Sequence, residues 1–277
     1  MRIDAHQHFW EYDPVAYPWI SEAMPKLRKD RLPTDLSPLL KEEGMGGCVA
    51  VQARQSPEET DFLLHLTQQH AFIKGVVGWI DLQAPDVAQT LDHYQSNSLL
   101  KGMRHIVQDE PDDEFLLRPD FLRGVQKLGQ QGYTYDILVF ERHLPVVLKF
   151  LDACPDQSFV LDHLGKPVIE GGPSPLWTDH IRSIAAHPNV YCKLSGLVTE
   201  ADWNNWQQED FYPFLDIAME AFGPERLMIG SDWPVCLLAA DSYHETVNVV
   251  QTYLRQYAPE AQPAILGTTA TQFYQLN

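Results

Sequence analysis

The sequence predicts an α/β fold: a single closed barrel of eight parallel strands surrounded by helices, the (β/α)8 or TIM barrel. Eight short runs rich in Val, Ile, Leu and aromatic residues alternate with longer amphipathic stretches, and this unit repeats about every 25–45 residues. A chain of 277 residues also suits such a barrel, which needs roughly 250. An open, doubly wound sheet is the alternative, but the glycine-rich phosphate loop that would follow its first strand is not found in this sequence.

The pattern of the sequence gives each element approximate bounds. The predicted strands are Arg2–Ala5, Gly47–Gln52, Gly75–Leu82, Gly102–Val107, Thr134–Phe140, Phe159–His163, Val190–Leu194 and Leu227–Ser231. The predicted helices are Glu58–Gln69, Asp86–Gln95, Pro119–Gln130, Leu144–Ala153, Thr178–Ala186, Phe211–Phe222 and Ser242–Tyr257. Several start with capping chemistry, as at Ser56–Glu59, where an N-cap residue precedes Pro and two acids near the positive end of the helix dipole.

Two irregular stretches interrupt this pattern. Asp13–Pro38 carries five prolines and follows the first strand, and Gly165–Pro175 carries three glycines and three prolines and follows the sixth. In a barrel, the loops that follow the strands line the active-site face. Because the sequence contains no low-complexity segment and no Gly/Ser linker, residues 1–277 are predicted to form one domain.

The chain is strongly acidic, with 38 Asp and Glu residues against 20 Lys and Arg residues and a formal net charge of −18. Such a surface repels phosphate backbones and anionic lipids, so we expect neither nucleic acid nor a membrane as a partner. Four well-separated cysteines without a CxxC pair, and no apolar segment at the N-terminus, indicate a reduced, cytoplasmic protein. A homo-oligomer is compatible with the sequence, which does not define the oligomeric state.

His6 and His8 stand at the end of the first predicted strand. Because residues i and i+2 of a strand share a face, Asp4, His6 and His8 are predicted to project together. Two imidazoles at the mouth of a barrel can grip a metal ion or a carbonyl oxygen. The alternative is an incidental pair of loop histidines, and a bare His-x-His motif does not decide between them.

Two further strand ends carry candidate catalytic groups. His163 ends the sixth apolar run within Leu161–Pro167, and Asp232 follows the eighth within Met228–Pro234. Taken singly, the histidine can cap a strand and the aspartate can cap a helix. In a closed barrel, however, strand eight lies beside strand one, so the three segments converge on one small volume. The sequence therefore predicts one site, formed by His6, His8, His163 and Asp232.

These motifs resemble those of the amidohydrolase superfamily, which has a His-x-His after strand one, a His after strand six and an Asp after strand eight. The opening Ile3–Trp10 and the tracts Lys101–His105 and Gly230–Pro234 look like its sugar-lactonase branch. The resemblance covers essentially the whole chain. It implies a barrel enzyme that hydrolyses a small-molecule sugar-acid lactone of the fucono- or rhamnono-lactone type.

The resemblance also implies the chemistry of the site. Asp232 is expected to act as the general base, while the three histidines polarise the lactone carbonyl, directly or through one metal ion. Binuclear members of the superfamily have a histidine ligand on strand five, and Thr134–Phe140 offers Asp136 but no histidine. We therefore expect either no required cofactor or one divalent ion, with zinc favoured by imidazole and carboxylate donors. The ligands of that ion would be His6, His8, His163 and Asp232.

Side chains near other strand ends are candidate substrate contacts. Cationic groups would bind oxygen atoms and tryptophans would stack on a sugar ring, although packing is the commoner role of Trp. The predicted substrate-binding residues are Arg104, His105, Trp10, Trp79, Lys193 and Arg54. The acidic net charge favours a neutral hydroxylated lactone over a dianionic pyrone.

Four other functions stay open on the sequence alone. One is an amide- or nucleobase-hydrolysing member of the superfamily, although such members typically use the binuclear or strand-five ligands that this sequence lacks. A metal-dependent decarboxylase of the same superfamily would use the same residues around a tightly held metal. A pyrone-dicarboxylate-type lactonase would need several cationic side chains in its pocket. A non-catalytic carbohydrate-binding barrel would bind sugar lactones without turnover.

Overall fold

Eight parallel strands form one sheet in the order of the chain, in a computed structural model that describes residues 1–277. The strands are β1 (Ile3–Gln7), β2 (Gly47–Val51), β3 (Ile73–Gly78), β4 (Leu100–Ile106), β5 (Thr134–Leu138), β6 (Phe159–Leu161), β7 (Val190–Leu194) and β8 (Leu227–Ile229). Each overlaps a predicted strand, and each pairs with the next in parallel. The predicted (β/α)8 barrel, a single domain, is confirmed.

Helices connect the strands and pack around the sheet. They are α1 (Pro33–Glu42), α2 (Pro57–Gln69), α3 (Val87–Tyr94), α4 (Pro119–Gln130), α5 (Leu144–Ala153), α6 (Pro175–Ala185), α7 (Gln208–Phe222), α8 (Tyr243–Tyr257) and α9 (Thr269–Phe273). The sequence predicts neither α1 nor α9. Helix α1 lies partly in the proline-rich stretch predicted to be irregular, and Pro33 occupies its first position, where a missing N–H costs nothing. None of the helices combines the length and the apolar character that crossing a membrane requires.

Apolar side chains fill the lower half of the barrel and leave the carboxyl ends of the strands for polar groups. This floor is built from inward-facing residues of the strands and is covered from below by the C-terminal segment. Its members are Ile3, Ala5, Val49, Val51, Val77, Val160, Met228, Ala270, Phe273, Tyr274 and Leu276. Because the floor is closed, a ligand reaches the barrel interior from the face that carries the loops after the strands.

The barrel closes between β8 and β1 through the segment that follows β8. The Asp232 amide donates to the His6 carbonyl (2.8 Å), and the His8 amide donates to the Trp233 carbonyl (2.7 Å). A parallel bridge between Gln7 and Trp233 extends the same pairing. The residues that close the barrel are thus the residues from which the predicted site is built.

Asp4 corrects one expectation from the sequence, because its side chain does not accompany the two histidines. The pairing of β1 with β2 shifts register after Asp4, and such a bulge changes which residues share a face. His6 and His8 turn toward the barrel mouth. The Asp4 carboxylate instead accepts hydrogen bonds from the Ser231 amide (2.9 Å), the Ser231 hydroxyl (2.6 Å) and the Tyr243 hydroxyl (3.1 Å).

We expect Asp4→Ala to lower the free energy of unfolding by about 2–4 kcal/mol, because it leaves buried donors of Ser231 and Tyr243 without an acceptor. Urea unfolding followed by circular dichroism measures the change. Tyr243→Phe removes only one donor and is the matched control, with an expected cost of about 1 kcal/mol. A loss of stability below about 0.5 kcal/mol for Asp4→Ala would show that the closure of the barrel between β8 and β1 does not depend on this carboxylate.

Candidate active site

Four buried side chains meet at the carboxyl end of the barrel, all from the predicted set. Asp232 Oδ1 lies 3.2 Å from His8 Nε2 and 3.7 Å from His6 Nε2. His163 Nε2 lies 3.9 Å from the same oxygen. Three remote segments of the chain therefore share one carboxylate oxygen, as the closed barrel requires of residues after β1, β6 and β8.

The backbone turns sharply at two of these positions. His163 has a φ of 55° and Asp232 a φ of 56°, a left-handed conformation that residues other than glycine rarely adopt. Such strain is found most often at functional sites. Gly196 makes room for the His163 ring, since a Cβ on Gly196 would lie 2.5 Å from His163 Nδ1 and its own φ is +64°.

The hydrogen bonds of His8 fix the position of its proton. His8 Nδ1 lies 2.8 Å from the Val51 carbonyl oxygen, which can only accept, so Nδ1 is the protonated nitrogen. In the neutral ring, Nε2 then directs a lone pair at Asp232 Oδ1, 3.2 Å away. Two acceptors at this distance need a positive charge between them. A proton or a metal ion supplies it.

A buried ammonium group supports the cluster from below. Lys193 Nζ lies 2.6 Å from Asp136 Oδ2 and 2.9 Å from Asp162 Oδ1. It also donates to His6 Nδ1 at 3.1 Å. The sequence pattern does not separate these two acids from other acids at strand ends, and the structure shows that both neutralise Lys193. Lys193, predicted to contact the substrate, is therefore enclosed beneath the site.

Arg104 enters the site from β4. Its NH1 atom lies 3.1 Å from Asp162 Oδ2 and 3.2 Å from His6 Nε2, and its NH2 atom donates to the Gln52 carbonyl. The side chain is almost fully buried, yet it also lines the cavity above the cluster. Arg104 is the only one of the six predicted substrate contacts that lines this cavity.

The cavity has a volume of about 390 Å³ and lies over the cluster. His8, His163 and Asp232 form part of its wall. The remaining lining residues are Trp19, Met24, Ala53, Arg104, Ile106, Gln108, Asp109, Leu138, Phe140, Lys166, Thr199, Glu200, Trp203, Val235 and Leu238. Lys166 lies three residues after His163, within the segment Leu161–Pro167 noted in the sequence, whereas Glu200 and Trp203 belong to loops without a recognisable motif.

Two of the predicted substrate contacts, His105 and Trp79, lie on the outer side of the barrel sheet. His105 follows Arg104 on β4 and so points to the opposite face. Its ring stacks on Phe115 with centroids 4.5 Å apart, and its Nε2 atom is 2.7 Å from Glu110 Oε1. Trp79 donates to His105 Nδ1 at 3.2 Å. Both side chains pack the barrel against its outer layer.

Two other predicted substrate contacts, Trp10 and Arg54, hold the long loop after β1. Trp10 is buried and donates to the Lys29 carbonyl at 2.9 Å. Arg54 Nε lies 3.2 Å from Glu59 Oε2, and the guanidinium lies over the Tyr17 ring at 5.2 Å. Neither Trp10 nor Arg54 lines the cavity, where the aromatic residue from this loop is Trp19.

Burial controls the protonation of the site. Burial raises the pKa of the Asp232 carboxyl, but His163, His8 and His6 more than offset this and hold the pKa below its ordinary value. Burial lowers the pKa of His163 to about 4 and the pKa of His6 well below its ordinary value, against the opposing effect of nearby carboxylates. At neutral pH the Asp232 carboxylate is therefore ionised, while His6 and His163 are neutral.

The donor atoms fit one divalent metal ion. Ligand atoms of His6, His8 and Asp232 lie within 4.8 Å of one another, and imidazole with carboxylate is a typical zinc donor set. A second group of similar spacing joins His6, Asp162 and His163. There, however, the Asp162 carboxylate is already held by the cations of Arg104 and Lys193. The residues present thus suit one ion better than two.

Comparison with known proteins agrees with this architecture. The amidohydrolase family model matches residues 3–276. An L-fucono-1,5-lactonase from Burkholderia multivorans is 45% identical over 100% of this chain and 96% of its own length, and one from Burkholderia ambifaria is 34% identical over 100% and 96%. A crystal structure of an amidohydrolase from Burkholderia multivorans with bound zinc has a TM-score of 0.95 and 45% identity, covering 100% of both chains.

The barrel and the histidine–aspartate cluster at its mouth define a hydrolytic (β/α)8 enzyme. More narrowly, the chain belongs to the amidohydrolase family, so the resemblance seen in its motifs is confirmed.

A titration of stability tests the burial of His163. Its pKa is about 4 in the folded chain and about 6.5 in the unfolded chain, so the unfolded chain binds more protons between these values. Stability contributed by His163 must therefore fall as the pH falls from about 6.5 to about 4, by roughly 3 kcal/mol. Burial raises the pKa of Asp136 to about 6, and this acts in the opposite direction.

The comparison of wild type with His163→Asn separates the two effects, because both proteins retain Asp136. We expect the stability of the wild type relative to the variant to decrease across this window in urea unfolding at a series of pH values. A difference that does not change with pH would contradict a neutral, buried His163.

Proposed function

We propose that this enzyme hydrolyses a sugar-acid lactone of the fucono- or rhamnono-lactone type, with Asp232 as the general base. The observation that carries the proposal is the ionised Asp232 carboxylate in the wall of the cavity, whose Oδ1 atom lies 3.2 Å from His8 Nε2. The names of the two Burkholderia relatives support the substrate class.

The reaction needs one water molecule and no net change in the enzyme. The Asp232 carboxylate takes a proton as the water oxygen bonds to the lactone carbonyl carbon. The tetrahedral intermediate then collapses, the bond from that carbon to the ring oxygen breaks, and Asp232 returns the proton to the departing oxygen. The product is the open hydroxy acid. His8 Nε2 lies 3.2 Å from the carboxylate oxygen and is therefore within reach of that proton.

Stabilisation of the developing oxyanion falls to the groups around Asp232. His6 and His163 would polarise the carbonyl through a ring N–H group, and His8, whose Nδ1 is bonded to the Val51 carbonyl, would do so only through a metal ion. Arg104 adds a buried positive charge within 3.2 Å of His6 Nε2. A divalent ion, zinc by its donor set, would be held by His6, His8 and Asp232. When bound, it supplies a fixed charge that polarises a carbonyl oxygen.

The charges of the cavity support a neutral substrate. Its two cationic side chains are already paired, Arg104 with Asp162 and Lys166 with Glu200. The Asp109 and Asp232 carboxylates add negative charge to the wall. A dianionic pyrone would find no unpaired positive charge in this cavity. A hydroxylated lactone has no net charge and therefore needs none.

A panel of aldonolactones, assayed by the fall in pH that accompanies ring opening, tests the function. We expect hydrolysis of fucono- or rhamnono-type lactones because a neutral, hydroxylated ring suits the charge and size of the cavity. Assays with and without a chelator measure the part played by a metal ion. No hydrolysis of any lactone, together with chelator-sensitive release of carbon dioxide from aromatic acids, would instead favour the decarboxylase.

Asp232→Asn should lower kcat for such a lactone about 10²–10⁴-fold, because the amide cannot accept the water proton. Steady-state kinetics measures the effect, and circular dichroism checks that the fold is retained. Asp81→Asn is the matched control, since Asp81 is an exposed acid in the loop after β3 that bonds only the Gln83 amide. If Asp232→Asn kept wild-type kcat, Asp232 would not be the base.

A further inference from the structure

A charged pair stands in the cavity wall apart from the catalytic cluster. Lys166 Nζ lies 3.4 Å from Glu200 Oε1, and the two side chains are 16% and 18% exposed. The ammonium also lies over the Phe140 ring, 5.3 Å from its centroid. Both side chains line the cavity, so the cavity is where their exposed atoms meet solvent.

This pair is incompletely bonded. Among the hydrogen bonds of the protein, the ammonium and the carboxylate have no polar side-chain or backbone partner except each other. An ammonium has three N–H donors and a carboxylate has about four acceptor positions. A single contact at 3.4 Å leaves most of this capacity unused in a partly desolvated wall, where burial also raises the pKa of Glu200.

The backbone holds the pair in a fixed relation to the catalytic cluster. The Lys166 amide donates to the His163 carbonyl at 2.8 Å, and Lys166 has a φ of 50°. Glu200 ends a short 3-10 turn, Val198–Glu200, in the loop after β7. That strand leads into Ser195, whose hydroxyl lies 2.8 Å from His163 Nδ1.

The cavity lining also has apolar members. Trp19 comes from the loop after β1 and Ala53 from the loop after β2, whereas Lys166 and Glu200 come from the loops after β6 and β7. Trp19 is held there by its indole N–H, which donates to the Ala53 carbonyl at 2.8 Å. The cavity thus combines apolar side chains with a pair that both donates and accepts hydrogen bonds.

We propose that Lys166 and Glu200 determine specificity by binding the free hydroxyl groups of the lactone. This inference rests on the proposed lactonase function. A hydroxyl group accepts from the ammonium and donates to the carboxylate, so vicinal hydroxyls satisfy both partners at once. The C–H face of the ring then lies against apolar side chains of the cavity, such as Trp19. The pair takes no proton from the reacting atoms.

Two substrates with the same scissile ester separate this role from others. L-Fucono-1,5-lactone carries hydroxyl groups, whereas δ-valerolactone has a ring of the same size and none. For Lys166→Met and for Glu200→Gln, we expect the ratio of kcat/KM for the hydroxylated lactone to kcat/KM for δ-valerolactone to fall about 10–100-fold. For the double variant, this ratio should fall by less than the product of the two single effects, because the two residues bind the same hydroxyl groups.

Arg182→Met is the matched control, because Arg182 forms an ion pair with Glu220 at 2.9 Å on the exposed surface of α6 and α7. It should leave the ratio unchanged. A purely structural pair would lower both activities together or lower the melting temperature without changing the ratio, and either result would overturn the inference. If the wild type hydrolysed neither lactone, the proposed function itself would fail.

Discussion

The hydrogen bond from the Asp232 amide to the His6 carbonyl closes the barrel between β8 and β1, and it also holds together residues of the candidate site. Without this closure, the acid after β8 and the histidines after β1 would be held only by their own loops. With it, their separation is set by parallel strand pairing, which is rigid and short. A base must be positioned to within a fraction of an ångström of its substrate, and strand ends provide that precision where loops do not.

Charge balance is the second constraint. Three buried carboxylates, those of Asp136, Asp162 and Asp232, share the barrel mouth with only two buried cations, Arg104 and Lys193. Burying an unpaired charge is costly, so the excess negative charge calls for one more positive charge. That charge would lie between His8 Nε2 and Asp232 Oδ1, which are 3.2 Å apart. A proton passing through the reaction and a bound divalent ion both meet this requirement, which is why the same residues suit either.

The sequence predicts this centre well because its residues are fixed by topology. Once eight strands close in order, the ends of β1, β6 and β8 must approach one another, and His163 and Asp232 need no further information. Local shifts of one residue are harder to foresee. A bulge removes Asp4 from the face of His6 and His8, and strict alternation on β4 sends His105 outward beside Arg104. Neither the bulge nor the direction of alternation is encoded in a pattern of residue types.

The loop residues show a deeper limit. Trp10 and Trp19 lie in the same loop, yet one is buried beside Tyr17 while the other lines the cavity, and only the fold of the loop distinguishes them. Lys166 and Glu200 come from different loops and become a pair only because β6 and β7 are neighbours. The residues proposed to carry out the chemistry therefore lie at strand ends, where position follows from topology. The groups proposed to recognise the substrate lie one layer further out, where loops can change without moving Asp232.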